Sequence, residues 1–172
     1  MNLANTKDHI SAYHRMGQTV DAANYIVHNF QLTHPNFDGF EVSDELFSLN
    51  TITLIAKGTL GGKQRVFIPK NLFAFDLNLV LNMIAHEMLH VRQKDPKSLI
   101  EDKNEREWQA YHEMLFHRVF PQIPNAPVFN QIQFAKKALE YYRRMGEGSL
   151  LQTKYLYEKL ETIALLESFE QK

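Results

Sequence analysis

The sequence predicts an α+β fold, predominantly helical, with a small β-hairpin ahead of its central helix. Three observations carry this reading. Most of the 172 residues fall into segments whose apolar positions recur at helical spacing. The β signal is confined to two short runs, Thr51-Ile52-Thr53-Leu54-Ile55-Ala56 and Arg65-Val66-Phe67-Ile68, joined by a turn over residues 58–62. The longest apolar run, residues 72–94, follows the second of them directly.

The elements follow in chain order. Residues 7–30 read as one helix, with Ile10, Tyr13, Val20, Ala23, Ile26, Val27 and Phe30 on or near one face. His34-Pro35-Asn36-Phe37-Asp38-Gly39 breaks it. Pro69 ends the second strand of the hairpin. In the long apolar segment Asp76 is an N-cap. Leu77, Leu79, Val80, Leu81, Met83, Ile84 and Ala85 make that helix apolar on nearly all sides, which implies burial at the domain centre. Asp95-Pro96 terminates it. A further helix covers residues 101–119, and the proline-rich residues 121–127 form a connector. Two helices, over residues 131–145 and 150–169, are separated by Gly146. The chain reads as one domain, with residues 1–120 as its core and 121–172 as a helical pair packed on it.

Composition narrows the function. The net charge is −1 with both signs dispersed, so no basic surface for nucleic acid is expected. Tyr141, Tyr142, Tyr155 and Tyr157 lie near Lys136-Lys137 and Arg143-Arg144, but Glu140, Glu147, Glu158 and Glu161 interrupt that charge. Core packing with a solvated face is the better reading there. The chain has no cysteine, which removes disulfides, thiol nucleophiles and cysteine zinc sites. Only His, Asp and Glu remain as strong metal ligands. Residues 1–8 lack the apolar core of a signal peptide and no stretch approaches a membrane span, so the expected location is cytoplasmic, without membrane association.

The chemistry is concentrated in His86-Glu87-Met88-Leu89-His90, an HExxH motif inside the long apolar helix. At 100° per residue, His86 and His90 project from one face, one turn apart, and both can reach one ion. Glu87 stands beside them as a candidate base. Two histidines and a glutamate near the centre of an apolar helix are costly without a compensating role. The competing reading is a pair of core histidines hydrogen-bonded to backbone or carboxylates. A catalytic zinc takes three protein ligands and leaves one position open. Glu101, Glu105 and Glu107, on a helix returning after Asp95-Pro96, are the candidates for the third.

His86-Glu87-Met88-Leu89-His90-Val91-Arg92-Gln93, followed by Glu107-Trp108-Gln109-Ala110-Tyr111, resembles a zincin metallopeptidase of the gluzincin type. The resemblance spans about 45 residues, ending at Tyr111. In that group the third ligand is a glutamate on the next helix, often followed three residues later by Ala or Ser, which lets the two helices approach. Glu107 with Ala110 fits; Glu105, with Trp108 at that offset, fits less well. Many gluzincins carry an Asp four residues after the glutamate, where this chain has Tyr111. Peptide deformylases require a cysteine. SprT-like proteases use a third histidine soon after the motif, and none lies between His90 and His112. Metzincins require Gly and His where Gln93 and Pro96 stand.

The resemblance implies a zincin-like domain acting as a zinc-dependent peptidase on a peptide or protein substrate. Zn²⁺ would be held by His86, His90 and Glu107, with Glu87 as general base and Tyr111 as a candidate donor to the oxyanion; His112 and His117 are weaker candidates. Asn82 and Gln93 are placed either to orient a ligand imidazole or to cap a buried carbonyl. Substrate is expected along the strand Arg65-Val66-Phe67-Ile68. The alternative is a zincin-like domain that binds a protein partner and does no chemistry; retention of Glu87 argues for the enzyme.

Overall fold

Gly17 makes the first departure from the sequence reading. In the computed structural model, which describes residues 3–170, it adopts a φ of 69°, a conformation that ends a helix. Residues 7–30 therefore form two helices, α1 (Leu3–Arg15) and α2 (Thr19–Asn29), and not one.

The second departure is a strand, β1 (Phe37–Val42), in and after the segment read only as a helix break. Pro35, Asp38 and Gly39 argue against a strand locally, and tertiary contacts override them. The exposed Arg65 pairs with Asp38 at 2.7 Å and Glu41 at 3.0 Å across the sheet. The Asn36 amide donates to the Val91 carbonyl at 3.0 Å and so ties the start of the strand to the central helix.

The hairpin expected from the sequence is present as β2 (Ile55–Lys57) and β3 (Gln64–Ile68), antiparallel, although its first strand begins four residues later than predicted. β1 joins β3 in parallel, so the strand order is β1-β3-β2. This order corrects a functional expectation. β3 is central and hydrogen-bonded on both sides, so no peptide can add to it. The edge strand near the motif helix is β2, whose outward Ala56 N–H and carbonyl are taken by Glu87 and Lys94, which leaves residues 52–54 before it as the candidate edge.

Residues 72–94 split into a short 3-10 turn (Leu72–Ala74) and α3 (Leu77–Gln93). Asp76 caps α3, its side chain accepting from the Leu79 N–H at 3.0 Å. Val80, Leu81, Ile84, Met88 and Val91 are fully buried, so the helix predicted to be central is so. After Asp95-Pro96 the chain returns as α4 (Lys103–Phe116), capped by Asp102. Gln93, at the end of α3, bonds to the Arg106 carbonyl, while Asn82, near its start, meets His117. The two helices are therefore antiparallel. Ala110, fully buried, packs into the core that α3 builds with the sheet and α2.

α5 (Val128–Arg144) packs mainly on α4, and residues 150–169 form α6 (Leu150–Lys154) and α7 (Leu156–Glu170), divided at Tyr155. Trp108 of α4 is buried against Tyr142, Met145 and Tyr155. Among the described residues no helix is long and apolar enough to cross a membrane.

Candidate metal centre

The α3–α4 pair brings three donors to one point. His86 Nε2 and His90 Nε2 are 3.1 Å apart. Glu107 Oε2 lies 3.7 Å from the first and 3.6 Å from the second. Among the described residues this is the group of His, Asp and Glu side chains whose geometry can hold a metal ion. A tetrahedral ion with bonds of about 2.05 Å separates its ligands by about 3.3 Å. The three separations here bracket that value.

Hydrogen bonding on the far side of each imidazole fixes which nitrogen faces the centre. The Gln93 amide nitrogen donates to the Arg106 carbonyl at 3.0 Å and to Gln109 Oε1 at 2.9 Å. Its oxygen must therefore face His90 Nδ1, 2.8 Å away, and that nitrogen carries the proton. His86 Nδ1 is 3.2 Å from the sulfur of Met114, which can only accept. Both neutral rings thus present an Nε2 lone pair to the same point, joined there by a carboxylate oxygen. Three electron-pair donors converging in a buried site repel one another unless a cation lies between them. The donor set fits a divalent metal.

Protonation equilibria report the same convergence. Burial favours the neutral acid of Glu107, but the imidazoles of His86 and His90, 3.7 and 3.6 Å away, outweigh it and hold the carboxyl well below its ordinary range. Burial likewise opposes charge on His90, yet the neighbouring carboxylates of Glu107 and Glu87 raise its pKa.

Glu87 turns its side chain toward the sheet. Its Oε2 accepts from the Ala56 N–H at 2.7 Å, an edge-strand group that β3 does not use. The Ala56 carbonyl accepts from Lys94 Nζ at 2.9 Å. Glu87, the triad and β2 together line a cleft of roughly 530 Å³, which Tyr111 and Tyr141 also reach. The Tyr111 ring stands edge-on to His86, with centroids 4.8 Å apart. Burial, reinforced by the charge of Glu107, pushes its phenol up to about 12, so it remains a donor at neutral pH.

No protein-family model, curated protein or solved structure matches this chain. Its chemistry is therefore read from its own geometry.

That geometry decides several alternatives left open by the sequence. Glu105 points away from the cleft; its carboxylate accepts from Tyr155 at 2.6 Å and Lys154 at 2.7 Å. Gln93 holds the His90 ring through its Nδ1, as described. Asn82 instead caps the carbonyls of Asn78 and Pro124, both at 2.8 Å. His117 bonds to Asn82 at 2.9 Å, and His112 lies 3.5 Å from Glu161 among aromatic rings, so neither belongs to the centre.

The sequence reading missed a chain of hydrogen bonds behind His90. His90 donates to Gln93, Gln93 to Gln109, Gln109 to the Tyr155 hydroxyl at 2.5 Å, and that hydroxyl to Glu105. Every donor points toward the buried carboxylate. Polarisation along such a chain raises the basicity of the His90 imidazole. Gln109 and Tyr155 lie 46 residues apart, and no local pattern announces their contact.

Proposed function

We propose that this chain is a zinc-dependent metallopeptidase with a zincin-like active site of the gluzincin type, acting on a peptide or protein substrate. The observation that carries the reading is the convergence of two tautomer-fixed imidazoles and Glu107 beside Glu87, in a cleft bounded by a strand edge. A ligand set of two histidines and one glutamate without cysteine suits Zn²⁺, and three protein ligands leave one position for water or substrate. When bound, the ion supplies Lewis-acid polarisation of the scissile carbonyl and lowers the pKa of water at the open position.

The protein groups do the rest. The Ala56 N–H holds one oxygen of Glu87, leaving the other to take a proton from the attacking water. Glu87 then delivers that proton to the leaving amine nitrogen. Tyr111, protonated at neutral pH, is the side-chain donor for the oxyanion. The Leu54 and Ile52 backbone offers the pairing edge for an extended substrate, in place of the central strand.

The test is metal content together with peptide cleavage. Protein purified without chelator should carry about one zinc per chain and cleave members of a peptide library. Glu87→Gln should keep the zinc and lose cleavage by a factor of about 10²–10⁴. A native protein that takes up no stoichiometric zinc, even when zinc is supplied, would sink the reading. Zinc with no cleavage would leave a zincin-like binding domain.

A further inference from the structure

The cleft around the triad has two unlike ends, and their order along it is fixed by helix geometry. Met83, His86, His90 and Lys94 follow one another on or near the cleft side of α3, at spacings of three to four residues. From Met83 to Lys94 the helix advances about 16 Å, the length of about five residues of extended peptide. α4 runs antiparallel, so Lys103 and Arg106 stand at the Lys94 end and Tyr111 at the Met83 end. Tyr141 of α5 stacks on Tyr111, with centroids 5.8 Å apart at an interplanar angle of 16°. One end is therefore apolar and aromatic, the other cationic, with the triad and Glu87 between them.

None of the three cations is held in an ion pair, although Glu87 and Glu107 act on Lys94 through space. Lys94 donates to the Ala56 carbonyl, and Arg106 to the carbonyls of Ile100 and Glu101 at 2.7 and 2.8 Å. Among the described residues no carboxylate lies within ion-pair distance of Lys94, Lys103 or Arg106. The fixed negative charges in the cleft are Glu87 and Glu107, and a divalent ion on the triad balances both. The cations remain as surplus charge in a partly enclosed groove, where an anion is attracted more strongly than in open water.

The edge strand gives the substrate a direction. β2 runs alongside α3 in the same sense, since its Ala56 N–H meets Glu87 while the carbonyl of the same residue meets Lys94, further along the helix. A peptide pairing antiparallel with this edge, the more stable arrangement, runs from the cationic end to the aromatic end.

We propose that the cleft selects peptides carrying a carboxylate at its cationic end and an aromatic or large apolar residue at the other. In the antiparallel pose this means an Asp or Glu side chain N-terminal to the scissile bond and the apolar residue C-terminal to it. The inference rests on the peptidase reading for the bond that is cut, but the recognition of carboxylate can be measured separately.

Paired pentapeptides test it, identical except for Asp or Asn at the second position before the scissile bond, each made with a free and with an amidated C-terminus. The zinc-loaded protein should cleave the Asp peptide with a kcat/KM about ten-fold above the Asn peptide, amidated or not, and the ratio should shrink as salt rises. Lys103→Glu, a change at an exposed position, should reduce the ratio by about three-fold or more. Rates that depend on a free C-terminus and not on Asp against Asn would assign the cationic end to a terminal carboxylate and overturn the antiparallel pose. Equal rates for all four peptides would overturn the proposal while leaving the peptidase intact. If nothing is cleaved, the peptidase reading fails, and binding of the same peptides to zinc-loaded Glu87→Gln protein decides the recognition alone. Tighter binding of the Asp peptides supports it; equal binding overturns it.

Discussion

The α3–α4 pair carries two sets of histidines that differ in almost everything except burial. His86 and His90 point at each other and at Glu107, and the His90 pKa is raised. His112 and His117 lie on α4 and just after it, and burial lowers the pKa of both. His112 is packed against Phe116, with ring centroids 4.4 Å apart, and near Trp108, and the Arg118 guanidinium adds to the depression. Glu161, 3.5 Å away, only partly offsets it. Burial alone makes a histidine neutral and inert. Burial with a convergent carboxylate, and with tautomers fixed from behind, makes it a candidate ligand.

The sharpest way to break this comparison is to remove ligands from one set and carboxylates from its surroundings. His86→Ala and Glu107→Ala should abolish stoichiometric zinc binding, measured by metal analysis after dialysis. Glu105→Ala, two residues away on the opposite side of α4, should retain it. Retention of zinc by Glu107→Ala would show that the contrast between the two sets lies elsewhere.

A smaller effect is expected from the groups that orient His90. Gln93→Leu should weaken zinc binding by about 10–100-fold, the range for loss of a ligand's supporting hydrogen bond. Gln109→Leu acts only through Gln93 and should give a weaker loss in the same direction. The His90 ring proton seen by NMR should shift in both variants, whereas a merely structural role would leave it unmoved.

The two sets should also oppose each other in acid. His112 has a folded pKa below its unfolded value of about 6.5, so the unfolded chain binds the extra proton. The stability it contributes is present above pH 6.5 and is lost as pH falls toward the depressed folded value, by on the order of 1–3 kcal/mol. His90 in metal-free protein has the reverse sign. Its contribution is present below pH 6.5 and fades as pH rises through its raised folded pKa. Urea midpoints measured from pH 7.5 to 4.5 should therefore fall less steeply in metal-free His112→Phe than in the native sequence. Identical slopes would contradict the assignment.

The smallest change expected is in Tyr155→Phe, which removes a buried hydroxyl linking Gln109 to Glu105. A loss of about 1–2 kcal/mol in stability is expected, with zinc binding reduced less than in Gln93→Leu.

Much of this was legible in the sequence for a specific reason. A motif at helical spacing in an apolar helix constrains its own geometry, so His86 and His90 were certain to share a face once α3 formed. Asp76 and Asp102 cap the two helices by local chemistry. The fold class, the hairpin and the order of the later helices followed from periodicity. By contrast, strand β1 was missed because it depends on contacts that override local preference, whereas the break at Gly17 is a local glycine turn closed by hydrogen bonds to Tyr13 and His14, a signal present in the sequence and passed over.

What the sequence by itself determined is the inventory: two candidate histidine ligands, three glutamates of which one could join them, a candidate base, no cysteine, and the helices that carry them. Only the tertiary structure decided which glutamate joins the histidines. Residues 105 and 107 lie about 200° apart around α4, and the packing of α4 between α3 and α5 chooses the face. It also decided that β2 and not β3 is the open edge, since strand order depends on the parallel return of β1, a long-range pairing with no local signature. The cationic and aromatic ends of the cleft arose the same way. Their residues come from three helices, and only antiparallel packing brings them to opposite ends of one groove.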